Sequence, residues 1–285
     1  MRKTVLLLAM ALCSLALCAC GKNPDDDDLG YYTKVGSYDE DGNGTYKAGE
    51  KDIVSGGKFS DDGTIPPTDT PTPTPLPTFV VVLDPGHGAK FGGAVYGRFV
   101  EKTLNLTHAK LLKEYLETHY DNVTVYLTRS DDTIFFEDNS KDLRARVEFA
   151  KEKNADIMIS MHLNSSEYHN AFGSMVCISK QPNITGNSEA LAKCLLAKLE
   201  GMGLKNRGPY KKDSLDTKDS NGVPVDYYAI NRHGADLGVV AVILESCYLD
   251  NDADVQYIET DEAIARMAAQ EAEGIMEFLM TQYRK

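Results

Sequence analysis

Cysteine is scarce in this chain. Three of its six cysteines fall within the first 20 residues, and the others, Cys177, Cys194 and Cys247, are spread through the body. So few in so long a chain exclude a disulfide-built scaffold. An exported protein can still pair two of the three, and spacing alone does not say which. Basic residues are also in deficit: 30 Lys plus Arg stand against 43 Asp plus Glu, a formal charge of −13. That balance argues against nucleic acid and other polyanions as partners. Past residue 17 no apolar run is long enough to cross a membrane. No internal repeat recurs, and no dense HExxH-type metal motif is present.

What is there begins with a leader. Arg2 and Lys3 precede the apolar run Val5 to Leu17, which has the form of a secretory signal and is short for a membrane span. The run closes in Leu17-Cys18-Ala19-Cys20-Gly21. A small residue before a cysteine resembles the lipobox of bacterial lipoproteins. Residues 1–19 are then the signal peptide, and Cys20 is the lipidated first residue of the mature chain. The alternative is an ordinary cleaved signal with incidental cysteines. Several lipid chains on Cys20 would hold the protein firmly, so the expectation is export and anchoring to the outer face of the cell membrane. Losing Arg2 and Lys3 takes the formal charge from −13 to −15.

Residues 20–77 read as a disordered linker rich in Asp, Gly, Thr and Pro. The tract ends in Pro71-Thr72-Pro73-Thr74-Pro75, which favours extended polyproline II and builds no core. Inside it, Asp39, Asp41, Asn43 and Glu50, with Gly44, match the spacing of a calcium loop. Lys47 stands where a ligand or its water usually sits, and no helical pattern flanks the loop. The other reading is a solvated acidic linker.

From Phe79 the texture changes. Phe79 to Leu83, Asn122 to Thr128, Asp156 to Met161, Phe172 to Ser179 and Gly238 to Leu244 have the pattern of strands. Glu101 to His119, Lys141 to Lys153, Ser188 to Met202 and Asp261 to Met280 have helical spacing. The alternation predicts one α/β domain over residues 78–285, a twisted, mostly parallel sheet flanked by helices. Roughly 200 residues is ample for one large core.

Four segments carry the candidate chemistry: Asp84-Pro85-Gly86-His87-Gly88, Glu101-Lys102, Ser160-Met161-His162-Leu163-Asn164 and Leu244-Glu245-Ser246. His87, His162 and Glu245 each follow or end a predicted strand, and Glu101 opens a helix after a glycine-rich loop. Sites in open α/β sheets form beyond the carboxyl ends of the strands. His87, Glu101 and His162 are the candidate ligands of one zinc ion, with a position left open for water, as a hydrolytic site requires. Glu245, behind an apolar strand, is expected to be partly desolvated, with a pKa raised toward the range of a general base. Each has a plainer reading. A histidine can be structural, Glu101 can be a favourable charge at a helix N-terminus, and Glu245 can be a buried ion-pair partner. His108, His119, His169 and His233 read as incidental, with His233 the spare ligand. Cys247, two residues after Glu245, is expected on the same side, as a nucleophile or, more simply, as an inert buried thiol.

At these residues the chain resembles the zinc-dependent N-acetylmuramoyl-L-alanine amidases of the amidase-3 type. The points of likeness are Val82 to Gly88, Glu101-Lys102 with Asn105, Leu127-Thr128-Arg129, Leu143 with Arg144 and Arg146, Ser160 to Ser165, and Ile243-Leu244-Glu245 with Asn251. The resemblance implies hydrolysis of the amide between N-acetylmuramic acid and L-alanine in peptidoglycan. It implies one zinc held by His87, Glu101 and His162, and Glu245 as the catalytic glutamate. Peptidoglycan is then the substrate, the membrane is met through the N-terminal lipid, and the need for a protein activator stays open. A silent wall-binding lipoprotein and a zinc peptidase acting on stem peptides are the alternatives. The stretch Asn206 to Asp226 is longer and more charged than the resemblance implies, and reads as a solvated loop near the substrate face. No separate wall-binding repeat is visible.

Overall fold

The computed structural model describes residues 37–38, 44–45, 77–281 and 283. The chain divides into two units, Met1–Pro71 and Thr72–Lys285. In the first, Ser37–Tyr38 (β1) pairs antiparallel with Gly44–Thr45 (β2), a ribbon that the reading of an extended spacer does not contain. Cys20 and the candidate calcium ligands Asp39, Asp41, Asn43 and Glu50 lie outside the described residues.

The second unit starts with Phe79–Pro85 (β3), whose branched residues are buried on both faces of the strand. There follow Val95–Tyr96 (β4), Phe99–Val100 (β5), Glu101–His119 (α1), Val123–Leu127 (β6), Asn139–Glu152 (α2) and Ile157–Asn164 (β7). Ser174–Cys177 (β8), Pro182–Gly201 (α3), Asn206–Tyr210 (β9), Asp213–Lys218 (β10) and Pro224–Asp226 (β11) come next. Ala229–Leu237 (α4), Ala241–Tyr248 (β12), Asp252–Val255 (α5) and Asp261–Thr281 (α6) complete the unit.

Six strands form one sheet in the order β6-β3-β7-β12-β8-β9. The pairs from β6 to β12 are parallel, and β8 runs antiparallel to β12 with β9 parallel to it. Alternate residues of the central strands serve two cores. Val81, Leu83, Ile157, Ile159, Val242 and Leu244 meet the layer of α1, α3 and α6. Val82, Met158, Ala241 and Ile243 meet the smaller layer of α2 and α4. This two-sided burial is why the strands read as continuous apolar runs. Local signals set the helix ends. Asp138 caps α2 by accepting from Lys141 N at 2.9 Å, Pro182 opens α3, and Gly238, at φ 69°, closes α4. Among the described residues no helix is long and apolar enough to cross a membrane.

Three readings are corrected. Residues 206–226 are not a solvated loop: β9 is the sheet's edge strand, and β10 with β11 forms an exposed antiparallel hairpin. The hairpin turns on Asp219, whose Oδ1 accepts from Asn221 N and Val223 N. Strand β10 exposes most of its side chains, so the apolar alternation that marks a half-buried strand is missing there, and β11 is only three residues long. The helix α4 had no counterpart in the sequence reading, being only nine residues long. Finally, His162 and Glu245 lie inside their strands, because β7 runs on to Asn164 and β12 to Tyr248.

Candidate active site

Parallel pairing puts Glu245 of β12 beside His162 of β7, while Pro85 at the end of β3 pairs with Met161 on the other side of β7. The chain leaves β3 through Gly86 and His87, and α1 presents Glu101 in its first turn. Glu101 Oε1 lies 3.1 Å from His87 Nε2 and 3.0 Å from His162 Nδ1. One ligand atom from each of the three falls within 4.8 Å of the others. The two imidazoles meet edge to face, centroids 4.8 Å apart at 74°.

Glycine makes the convergence feasible. A Cβ on Gly86 would stand 2.3 Å from His162 Nε2, and one on Gly93 would stand 2.5 Å from Glu101 Oε2. Gly93 also has φ 72°, a left-handed backbone that glycine adopts freely. His87 has φ 66°, an uncommon conformation for a residue with a Cβ.

The β3–β4 loop is held from several sides. Arg129 donates from Nε to Pro85 O (2.9 Å) and from Nη2 to Gly86 O (3.0 Å). Arg146 of α2 donates from Nη2 to His87 O at 2.8 Å and from Nη1 to Asp84 Oδ1 at 2.9 Å. Its Nε reaches Asp142 Oδ2 at 2.8 Å. Asp84 also accepts from Ser160 Oγ and Thr128 Oγ1. Burial alone would raise the pKa of Asp84, but the Arg146 charge and the two hydroxyl bonds outweigh it and hold the carboxyl below its ordinary range. Lys102 Nζ reaches Ala89 O at 2.8 Å and Asp132 Oδ2 at 2.7 Å. Arg129, Arg146 and Asn105 were visible in the sequence as points of likeness without a role. The bonds by which they hold residues 84–87 span 19 to 62 positions of the chain, beyond what local spacing signals.

Charge divides the site. For Glu101, burial favours the neutral acid, but hydrogen bonds from His162 and His87 win and hold it ionised well below the usual carboxylate range. Glu245 is the opposite case. Burial pushes its carboxyl up to about 7; the nearby His162 works against that rise, and Glu101 adds to it. Its Oε2 is buried and has no hydrogen-bond partner.

The other candidates fall elsewhere. His233 sits in α4, outside the three-residue cluster, with its pKa lowered chiefly by burial. Cys247 packs in the large core with Leu244, away from the face that Glu245 shares with Ile243. The pairing register shifts between Glu245 and Tyr248, so two-residue spacing no longer preserves the face. Cys177, Cys194 and Cys247 are all buried, and burial raises the Cys247 thiol well above its ordinary value. His108 lies outside the cluster, its Nε2 2.7 Å from the buried Glu271 Oε2.

A model of the N-acetylmuramoyl-L-alanine amidase family, Amidase_3, matches residues 81–277. The chain belongs to that family. Its relatives include the endolysin of Bacillus phage SPP1, 28% identical over 202 residues, which are 70% of this chain and 66% of the endolysin. The germination-specific N-acetylmuramoyl-L-alanine amidase of Bacillus subtilis is 36% identical over 94 residues, 30% of this chain and 39% of that enzyme. Among solved structures, the catalytic domain of CwlV, an N-acetylmuramoyl-L-alanine amidase from Bacillus (Paenibacillus) polymyxa, superposes with a TM-score of 0.56 at 29% identity. That match covers 71% of this chain and 98% of the CwlV domain. The family match spans all four candidate residues and both arginine clamps.

Proposed function

We propose that the chain is an N-acetylmuramoyl-L-alanine amidase, hydrolysing the amide between N-acetylmuramic acid and L-alanine in peptidoglycan. The observation that carries this reading is the convergence of two imidazoles and one carboxylate beside a glutamate whose buried oxygen has no partner. The donor set fits a zinc ion, which takes nitrogen and oxygen ligands and keeps a position free when only three come from protein. His87, Glu101 and His162 would hold it. When bound, zinc supplies Lewis acidity toward water and toward a carbonyl oxygen.

The chain's own residues supply the rest. Glu245 accepts a proton from the attacking water and returns it to the leaving amine of L-alanine. A carboxyl with a pKa near 7 suits both transfers. Glu101 keeps its charge throughout, and Arg146 and Arg129 hold the loop that presents His87.

Residues 78–285 are the catalytic domain in this reading. Residues 1–19 are a signal peptide and 20–77 a spacer from a lipidated Cys20 on the outer face of the membrane, and the task is wall turnover or remodelling. The test is digestion of peptidoglycan by residues 78–285, with and without a chelator, and mass analysis of the products. Chelator-sensitive release of intact stem peptides beginning with L-alanine is expected. Trimmed stems left on the glycan would replace this reading with a peptidase.

A further inference from the structure

Glu271 takes no part in the amidase chemistry, yet it stands in the middle of α6 with its carboxylate fully buried. Its Oε1 accepts from Ser246 Oγ at 2.8 Å. Its Oε2 lies 2.7 Å from Nε2 of His108, a buried residue of α1, off the line of a hydrogen bond. Ser246 is itself fully buried and follows Glu245 in β12. Three elements, α1, α6 and β12, therefore meet at one carboxylate. Of these, α1 carries Glu101 and β12 carries Glu245.

The meeting point is an irregularity in the sheet. Glu245 pairs with His162 and Tyr248 with Asn164, so β12 advances three residues where β7 advances two. Ser246 reaches α6, and Cys247 beside it packs with Leu244 in the same large core. Alternation between the two faces breaks there, as it does at a bulge. A bulge forfeits ladder bonds, and side chains replace them. Ser174 Oγ donates to Ser246 O at 2.7 Å, and Tyr248 N donates to Asp254 Oδ2 at 2.8 Å.

Bulges next to active sites re-aim a side chain. A buried pair such as Glu271 with His108 adds little net stability, and its best-attested use is to fix register. We propose that Glu271 is a positioning residue: through Ser246 it holds the β12 bulge, and so sets the aim of Glu245 at the reacting water. The proposal rests on the amidase reading given above and adds a residue that the reading does not use.

The test puts three substitutions, one at a time, into the zinc-loaded full chain. Glu271→Gln keeps an acceptor for Ser246, Glu271→Met removes it at similar length, and Ser246→Ala removes the donor. Hydrolysis of a synthetic muramyl peptide is measured per bound zinc, and hydrogen exchange is followed by mass over residues 244–249. Glu271→Met and Ser246→Ala are each expected to lose about tenfold in kcat with KM within about twofold, as when a group is misplaced only for the reaction. Exchange over residues 244–249 should rise at least about threefold in both, with β3 unchanged. Glu271→Gln should stay within about twofold on every measure, because the Ser246 bond survives. A purely structural role lowers stability but leaves each zinc-loaded chain its parental kcat. Parental kcat in Ser246→Ala, or equal losses in Glu271→Gln and Glu271→Met, overturns the proposal. Should Glu271→Met fail to fold, Ser246→Ala decides alone. Hydrolysis by the parent, with kcat and exchange unmoved in the variants, sinks the positioning role alone. An exchange response without hydrolysis by the parent sinks the amidase reading and leaves the bulge held by Glu271.

Discussion

Two glutamates in one site have opposite electrostatics, and the difference comes from their neighbours. Glu101 is flanked by two imidazoles, whereas Glu245 has a free oxygen in a buried position. Glu245→Gln should retain one zinc per chain and lose at least about a hundredfold in turnover, the scale of general acid–base catalysis. Metal analysis beside product release checks this, and undiminished hydrolysis would remove Glu245 from its role. The same group predicts a pH effect on the metal-free chain. Its pKa rises from an ordinary 4.5 to about 7 on folding. The folded state therefore binds more protons than the unfolded one between those values, and stability declines as pH rises through 7. Metal-free Glu245→Gln should be more stable than its metal-free parent by about 3 kcal/mol at pH 8, and little different at pH 4. Urea titrations at the two pH values decide it. Gly86→Ala places a methyl against the His162 ring, and is expected to weaken zinc binding at least about tenfold in a competition titration.

At the scale of elements, α2 is a support for the site as well as a wall of the core. Arg146 neutralises Asp84 and Asp142 and holds His87 O. Arg146→Ala strands two buried carboxylates and should cost about 3 to 5 kcal/mol in chemical unfolding. Lys in its place should recover only part, since an ammonium cannot reproduce the planar fork that serves several acceptors. A loss under about 1 kcal/mol for Arg146→Ala would mean the clamp is dispensable. The same contrast explains what the sequence disclosed. Strands β3, β7 and β12 were legible because both their faces are buried, and the residues that follow their apolar runs, His87, His162 and Glu245, stood out as polar. Strands β9 and β10 were hidden by exposure, since no apolar alternation marks them, and β11 by its length of three residues. The orientation of Cys247 was hidden by the register shift after Glu245. The Asp84–Arg146 pair joins residues 62 apart in the chain, a contact that exists only once α2 packs on the sheet.

At the scale of the molecule, the two cores share one sheet, so the second unit should melt as a single body. Residues 78–285 alone are expected to unfold in one calorimetric transition within about 2 °C of the corresponding transition in the full chain, since a shift of 1 kcal/mol would move it only about 2 to 4 °C. A split transition, or a midpoint displaced by more than about 5 °C, would show that the preceding residues belong to the fold. Loops are ordinarily where a protein opens first. The three carbonyls of Pro85, Gly86 and His87 are instead each met by a guanidinium N–H, from Arg129 after β6 or Arg146 in α2. These anchors come from residues 43 to 59 positions away in the chain and not from the loop itself. The segment bearing His87 is therefore held by parts of the fold distant in the chain, and its order depends on α2 and the end of β6 keeping their places.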